Sequence, residues 1–146
     1  MQKTKLTIKD LLEKKGKEKL TELCVTNSLE AYASEQAGIN MLIVSFNQET
    51  LRTGIPTNKW FRDAQVKDIR DAAPNTFMIY ASGQYSSPEK AIDGALIARD
   101  NGADAVYCGS GTKIIEALRN EGLPVVSHIG LIPYKSTWTG GFKAVG

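Results

Sequence analysis

The chain has 146 residues, the length of one domain, and its formal net charge of +2 is too small to favour nucleic acid or an anionic membrane surface. Cys24 and Cys108 both lie inside apolar runs and are expected as buried thiols of a reducing compartment. No stretch approaches the ~20 apolar residues of a membrane span, and the start, Met1 to Lys5, leads into a polar segment rather than a signal region, so a cytoplasmic single domain over residues 1–146 is expected.

Thr7 to Lys15 has the pattern of a short helix, with Thr7 and Asp10 as a capping box, Ile8, Leu11 and Leu12 as an apolar stripe, and Gly16 as terminator. Leu23 to Thr26 is a first strand, after which Asn27 or Ser28 caps a helix running through Leu29, Tyr32 and Ala33 to Gly38. Met41 to Phe46 is continuously apolar, as suits a strand covered on both faces. An irregular segment containing Gly54 and Pro56 follows, then a helix from Lys59 to Ala73 with Trp60, Phe61, Ala64 and Ile69 as core contacts. On that helix Asp63, Asp68 and Asp71 alternate with Arg62, Lys67 and Arg70, the pattern of an exposed charged face.

Phe77 to Ala81 is a third strand, and Ser87-Pro88-Glu89 opens a helix with a cap, a proline and an acid in its first turn. That helix buries Ile92, Ala95 and Leu96 and ends at Asn101-Gly102. A strand over Ala105 to Cys108, a helix over Thr112 to Asn120 with Ile114, Ile115 and Leu118 inward, and a strand over Pro124 to Ser127 complete the series. The tail, Ile129 to Gly146, shows no helical period. The alternation predicts a parallel sheet with right-handed crossovers. Periodicity leaves two architectures open, an open doubly wound sheet and an incomplete barrel.

Chemistry in β/α folds gathers at the carboxyl ends of the strands. Here those ends are Thr26-Asn27, Ser45-Phe46-Asn47, Ile79-Tyr80-Ala81, Cys108-Gly109-Ser110 and Ser127-His128, none of which contains a carboxylate. A hard cation relies on at least one or two carboxylates, so no metal ligand set is evident. His128 is the sole histidine, and its place after a strand suits a proton donor or a substrate hydrogen bond equally with a bond to a neighbouring carbonyl. Gly109-Ser110-Gly111-Thr112 precedes a helix and suits either a small carboxylate or phosphate, or a tight turn with a threonine cap. Cys108, flanked by Val106 and Tyr107, fits core better than nucleophile, and Glu49 lies in a loop.

Several segments resemble the ketopantoate hydroxymethyltransferase family of the phosphoenolpyruvate/pyruvate barrel superfamily: Thr7 to Leu11, Ser28 to Val44, Tyr85 to Ala91, Asn101 to Val106, and above all Pro124 to Gly146 (PVVSHIGLIPYKSTWTGGFKAVG). The resemblance implies the N-terminal part of a TIM-type (β/α) barrel, about five strands preceded by a helix. It implies pantothenate biosynthesis, with hydroxymethyl transfer from methylenetetrahydrofolate to 2-oxoisovalerate assisted by Mg²⁺. The family places a glycine-aspartate-serine after strand two, where this chain has Ser45-Phe46-Asn47. A second metal aspartate, after strand three, is replaced by Ile79 or Tyr80. Tyr107-Cys108-Gly109 stands where the family has lysine, an apolar residue and glutamate, whereas His128 matches the family histidine.

The expectation is therefore a family member handling a small oxo acid without a carboxylate-held metal. His128 would be catalytic, and Ser45, Asn47, Gly109, Ser110 and Gly111 would bind the substrate. The chain would form a homo-oligomer or pair with a C-terminal half. Two alternatives stand beside it, a non-catalytic assembly subunit and a phosphate-ligand binder using the Gly109 turn.

Overall fold

The computed structural model describes residues 4–45, 59–83, 85–130, 132, 135–141 and 143, with backbone alone for 59–64, 82 and 83. The elements are α1 (Ile8–Lys14), β1 (Glu22–Val25), α2 (Ser28–Gln36), β2 (Met41–Val44), α3 (Lys59–Ala72), β3 (Phe77–Gly83), α4 (Pro88–Asp100), β4 (Ala105–Cys108), α5 (Thr112–Asn120), β5 (Val125–Ser127) and α6 (Ser136–Thr139). The five strands form one parallel sheet in the order β1-β2-β3-β4-β5. Right-handed crossovers between sequential neighbours all pass over the same side, so the helices share one face. A doubly wound sheet reverses its strand order and carries helices on both faces. The order seen here is that of a barrel wall.

Local chemistry starts the helices where the sequence does. The Asp10 N–H donates to Thr7 Oγ1 and the Thr7 N–H donates to Asp10 Oδ2, closing the capping box of α1. Asn27 and Ser87 accept the third-residue amides of α2 and α4, and Pro88 opens α4. Gly102 ends α4 at φ +99, and a Cβ there would lie 2.7 Å from Arg70 Cγ, so both backbone and space require glycine.

Alternate residues of each strand divide between two hydrophobic clusters. On the helix side, Val25, Leu42, Val44, Met78, Val106 and Cys108 pack with Ala31, Val66, Ile69, Ala91, Ala95, Ala98 and Leu118. On the inner side, Phe77, Ile79 and Ala105 are buried, with Leu6, Leu11, Met41, Ile43, Tyr107 and Val126 around them. Leu6 and Leu11 seat the α1 segment against that inner face. Asp104, just before β4, ties the layers together by accepting from Lys5 Nζ at 2.6 Å, Arg70 Nη2 at 2.6 Å and the Met78 N–H at 2.9 Å.

Several expectations are corrected. Cys24 is exposed rather than buried, because β1 is the first strand of the sheet and its inner side is open. Arg70 leaves the charged face of α3, donating to Asp104 and to the carbonyls of Gly102, Ala73 and Thr76, while Lys67 and Asp71 remain an exposed i,i+4 pair. The α1 stripe is split, since Leu11 is packed while Ile8 and Leu12 are exposed. β3 runs on to Gly83, and the tail contains the single turn α6. The expected core residues Trp60, Phe61 and Ala64 lie outside the described side chains.

Candidate functional site

The inner face ends, at the carboxyl side of the sheet, in residues set by the period-two alternation. Ala81 pairs with Tyr107 and Tyr107 with Val126, and Ser45, one residue beyond the Val44–Tyr80 pair, stands at the same level. His128 follows two residues after Val126 and so returns to this face. Its N–H donates to the Cys108 carbonyl at 3.4 Å, which extends the β4–β5 ladder beyond the last strand residue. Its ring centroid lies 5.7 Å from that of Tyr107, the planes inclined at 49°. That separation is within the range of interacting aromatic pairs. The phenol ring thus fixes one side of the half-buried imidazole.

The expected site residues separate into groups. Ser45 and His128 share the inner face. Gly109 is buried, and the half-buried Ser110 uses its Oγ to accept the Tyr85 N–H at 2.9 Å. Ser110 therefore clips the segment after β3 to the turn after β4. Tyr85 in turn covers Gly94 of α4 so closely that a Cβ there would lie 2.7 Å from the phenol oxygen. A register shift between Ala81 and Gly83 bends β3 just before this clip, as bulges do beside sites. Gly111 is the exposed N-cap of α5 and gives no side-chain hydrogen bond, so the expected threonine cap is corrected to an uncapped glycine at φ −67. Cys108 faces the helices and is fully buried, in agreement with a core role. Asn47, together with Phe46, Gln48 and Glu49, lies outside the described residues.

Tyr107 is the residue to which sequence reasoning gives no role in the site. In sequence it reads as a flank of Cys108 and the counterpart of the family's lysine, yet alternation from inward Ala105 places it on the inner face. At β1 the Glu30 carboxylate accepts the Thr26 N–H at 2.8 Å and its hydroxyl at 3.1 Å. Cys24 is level with inward Ile43, and partial burial, reinforced by Glu30 and Glu22, raises its thiol pKa. Burial likewise raises Glu22.

Among the described residues, the segments after β3 and β4 offer no carboxylate of the kind that holds Mg²⁺. Ile79 is buried in the inner apolar cluster, Tyr80 packs against the helix layer, and Tyr107, Cys108 and Gly109 offer a phenol, a buried thiol and backbone. Such a donor set is soft or neutral where a hard cation needs anionic oxygen. Among the described residues, no three His, Cys, Asp or Glu side chains gather as a metal-holding group. No helix among them is long and apolar enough to cross a membrane.

Comparison with solved structures supports the architecture. A 2,3-dimethylmalate lyase, a PEP mutase/isocitrate lyase superfamily member, superposes with TM-score 0.60 at 14% identity, over 84% of this chain and 52% of the lyase. A phosphonopyruvate hydrolase, solved with oxalate and Mg²⁺, gives TM-score 0.60 at 15% identity over 71% of this chain and 39% of its own. Among sequences, 3-methyl-2-oxobutanoate hydroxymethyltransferase of Bacillus subtilis is 30% identical over 99% of this chain and 55% of its own length. The enzymes of that name from Kosmotoga olearia and Metallosphaera sedula are 31% and 32% identical, each over 97% of this chain and over 57% and 58% of their lengths. The chain thus spans little more than half of these relatives. The ketopantoate hydroxymethyltransferase family model matches residues 5–146, and on that match, carried through the whole β/α series, the chain belongs to this family.

Proposed function

We propose that this chain is a cytoplasmic ketopantoate hydroxymethyltransferase-type protein, residues 1–146 forming the N-terminal portion of a single barrel domain, that takes a small 2-oxo acid at the carboxyl end of its sheet without a carboxylate-held metal. The observation that carries the reading is His128 on the inner face, braced by Tyr107, level with the mouth where the family's chemistry is expected. In this reading His128 donates a hydrogen bond or a proton to the oxo group. The Ser45 hydroxyl and the turn from Gly109 to Gly111 meet the carboxylate. Family membership and the small-acid ligand oxalate of the phosphonopyruvate hydrolase support the substrate class. The loss of the metal is supported by the donor set: Ile79 and Tyr80 are apolar or phenolic, and Tyr107 occupies the inner face. Hydroxymethyl transfer itself stabilises an enolate, a task that a metal ion performs as a Lewis acid. No step through such an ion is assigned to these residues.

Calorimetric titration with 2-oxoisovalerate and ketopantoate, with and without Mg²⁺, tests the reading. Binding of either acid in the millimolar range or tighter, indifferent to Mg²⁺ and weakened at least ten-fold by His128→Ala, is expected. Absence of binding at millimolar concentration overturns the substrate class; binding that requires Mg²⁺ overturns the loss of the metal.

A further inference from the structure

Asn101-Gly102 is the one asparagine-glycine pair in the sequence, and such a pair has a covalent chemistry of its own. The backbone nitrogen that follows an asparagine can attack the side-chain carbonyl carbon. Glycine, with no Cβ, leaves that nitrogen unshielded and its backbone free to turn. The pair closes α4 and begins the turn into β4, at the amino end of the sheet and so at the far end from His128. Both residues are half-buried.

The fold holds the reacting atoms apart. Asn101 has ψ 6, so the Gly102 nitrogen nearly eclipses the backbone nitrogen of Asn101, whereas closing a five-membered ring requires it to eclipse Cβ. Asn101 Nδ2 donates to the Ile97 carbonyl at 2.9 Å, which ties the side chain back along the helix. The Gly102 N–H donates to the Arg99 carbonyl at 2.8 Å. Both acceptors belong to the last turn of α4, whose carbonyls have no partner within the helix. Helix ends open more readily than helix centres, and opening of this turn releases both reacting groups together.

The same turn carries the fastening of α3. The Gly102 carbonyl accepts from Arg70 Nε at 2.9 Å, and Arg70 Nη2 reaches Asp104 at 2.6 Å. The Ala103 N–H donates to the Ala98 carbonyl at 3.0 Å. A Cβ on Gly102 would lie 2.7 Å from Arg70 Cγ, so the contact has no slack.

We propose that Asn101-Gly102 is a site of spontaneous covalent modification, kept closed by the folded end of α4, whose conversion to isoaspartate undoes the Arg70 fastening. The Gly102 nitrogen forms a bond to Asn101 Cγ, the Cγ–Nδ2 bond breaks, and Nδ2 leaves as ammonia with the proton lost from the Gly102 nitrogen. Water then opens the succinimide. Addition at Cγ leaves aspartate; addition at the main-chain carbonyl leaves isoaspartate, in which the chain runs through Cβ. One water is consumed, one ammonia is released and no electrons are exchanged. The added methylene moves the Gly102 carbonyl away from Arg70, and the new carboxylate sits beside Asp100 at the negative end of the α4 dipole. The site is remote from His128 and independent of the oxo-acid reading.

The test incubates the full chain in mildly alkaline buffer, folded and in guanidinium chloride. Peptide mapping follows the amide-to-acid mass gain at Asn101, and isoaspartyl methyltransferase labelling follows the isoaspartate. Isoaspartate is expected to form at least ten-fold faster in the unfolded chain than in the folded one. The isoaspartyl chain, separated and refolded, is expected to melt roughly 4 °C or more below the unmodified chain, with faster hydrogen exchange at Gly102 and Ala103. Asn101→Asp carries the same charge on an ordinary main chain and should lose less than half as much. Failure of the isoaspartyl chain to refold, beside an Asn101→Asp variant that folds, is the same result in its extreme form. Equal rates in the folded and unfolded chains, no isoaspartate in the unfolded chain, or an isoaspartyl chain that melts with Asn101→Asp overturns the proposal. Ligand binding is not read, so failure here leaves the substrate proposal standing.

Discussion

Replacement of Asp104 by alanine removes the acceptor on which three donors converge. Its carboxylate takes Lys5 Nζ on one oxygen, and Arg70 Nη2 and the Met78 N–H on the other. The side chains of Arg70 and Asp104 are 14% and 17% exposed, whereas Lys5 is 40% exposed and contributes little. Breaking a buried ion pair by deleting one partner costs about 3–5 kcal/mol. Arg70 retains the carbonyls of Gly102, Ala73 and Thr76, which lowers that figure, while the orphaned Met78 N–H adds about 1–3 kcal/mol. We expect a loss of about 2–4 kcal/mol in urea unfolding, or roughly 4–16 °C in melting temperature at the 2–4 °C per kcal/mol typical of this size. Asp104→Asn, which keeps an acceptor for Met78, should lose about half as much. A double-mutant cycle with Arg70→Ala isolates the pair. A loss below about 1 kcal/mol for Asp104→Ala would refute the view that this residue fastens α3 and the N-terminal segment to the sheet.

Other substitutions probe the mouth and its supports. Gly94→Ala forces a Cβ to within 2.7 Å of the Tyr85 hydroxyl and should cost about 1–3 kcal/mol by thermal melting, with Tyr85→Leu restoring most of it. Gly111→Ser meets no atom within 4 Å and should gain a few tenths of a kcal/mol by capping α5; a loss of stability would show that the glycine serves the backbone. The Thr7 hydroxyl and N–H hold the Asp10 carboxyl below its ordinary pKa. Its contribution is complete above the unfolded-state pKa and fades as pH falls through the folded one, and an NMR titration should show the midpoint rise in Thr7→Ala. Partial burial and the Glu30 and Glu22 carboxylates keep Cys24 protonated at neutral pH despite its exposure. The pH midpoint of its alkylation should lie above that of a free thiol and fall in Glu22→Gln.

The sequence by itself determined the elements, because caps and periods are local. Thr7 with Asp10, Asn27, and Ser87 with Pro88 start their helices in the structure as their chemistry dictates. It also held Ser45 and His128 on the strand ends, since a parallel β/α alternation leaves little freedom there. What periodicity left open was the architecture, for which the family resemblance implied the barrel. Doubly wound sheet and barrel wall share one periodicity, and only the order β1 to β5, with every crossover on one side, separates them. Long-range partners were equally hidden. Arg70 has the composition of a solvated helix face until Asp104, thirty-four residues on, comes within 2.6 Å. Cys24 looks like core until its strand proves to be an edge. Which face of β4 turns inward decided that Tyr107, rather than Cys108, stands beside His128. Capping and periodicity act within a few residues, whereas strand order, edge exposure and ion pairing are set by segments far apart in the chain, so tertiary structure alone could decide them.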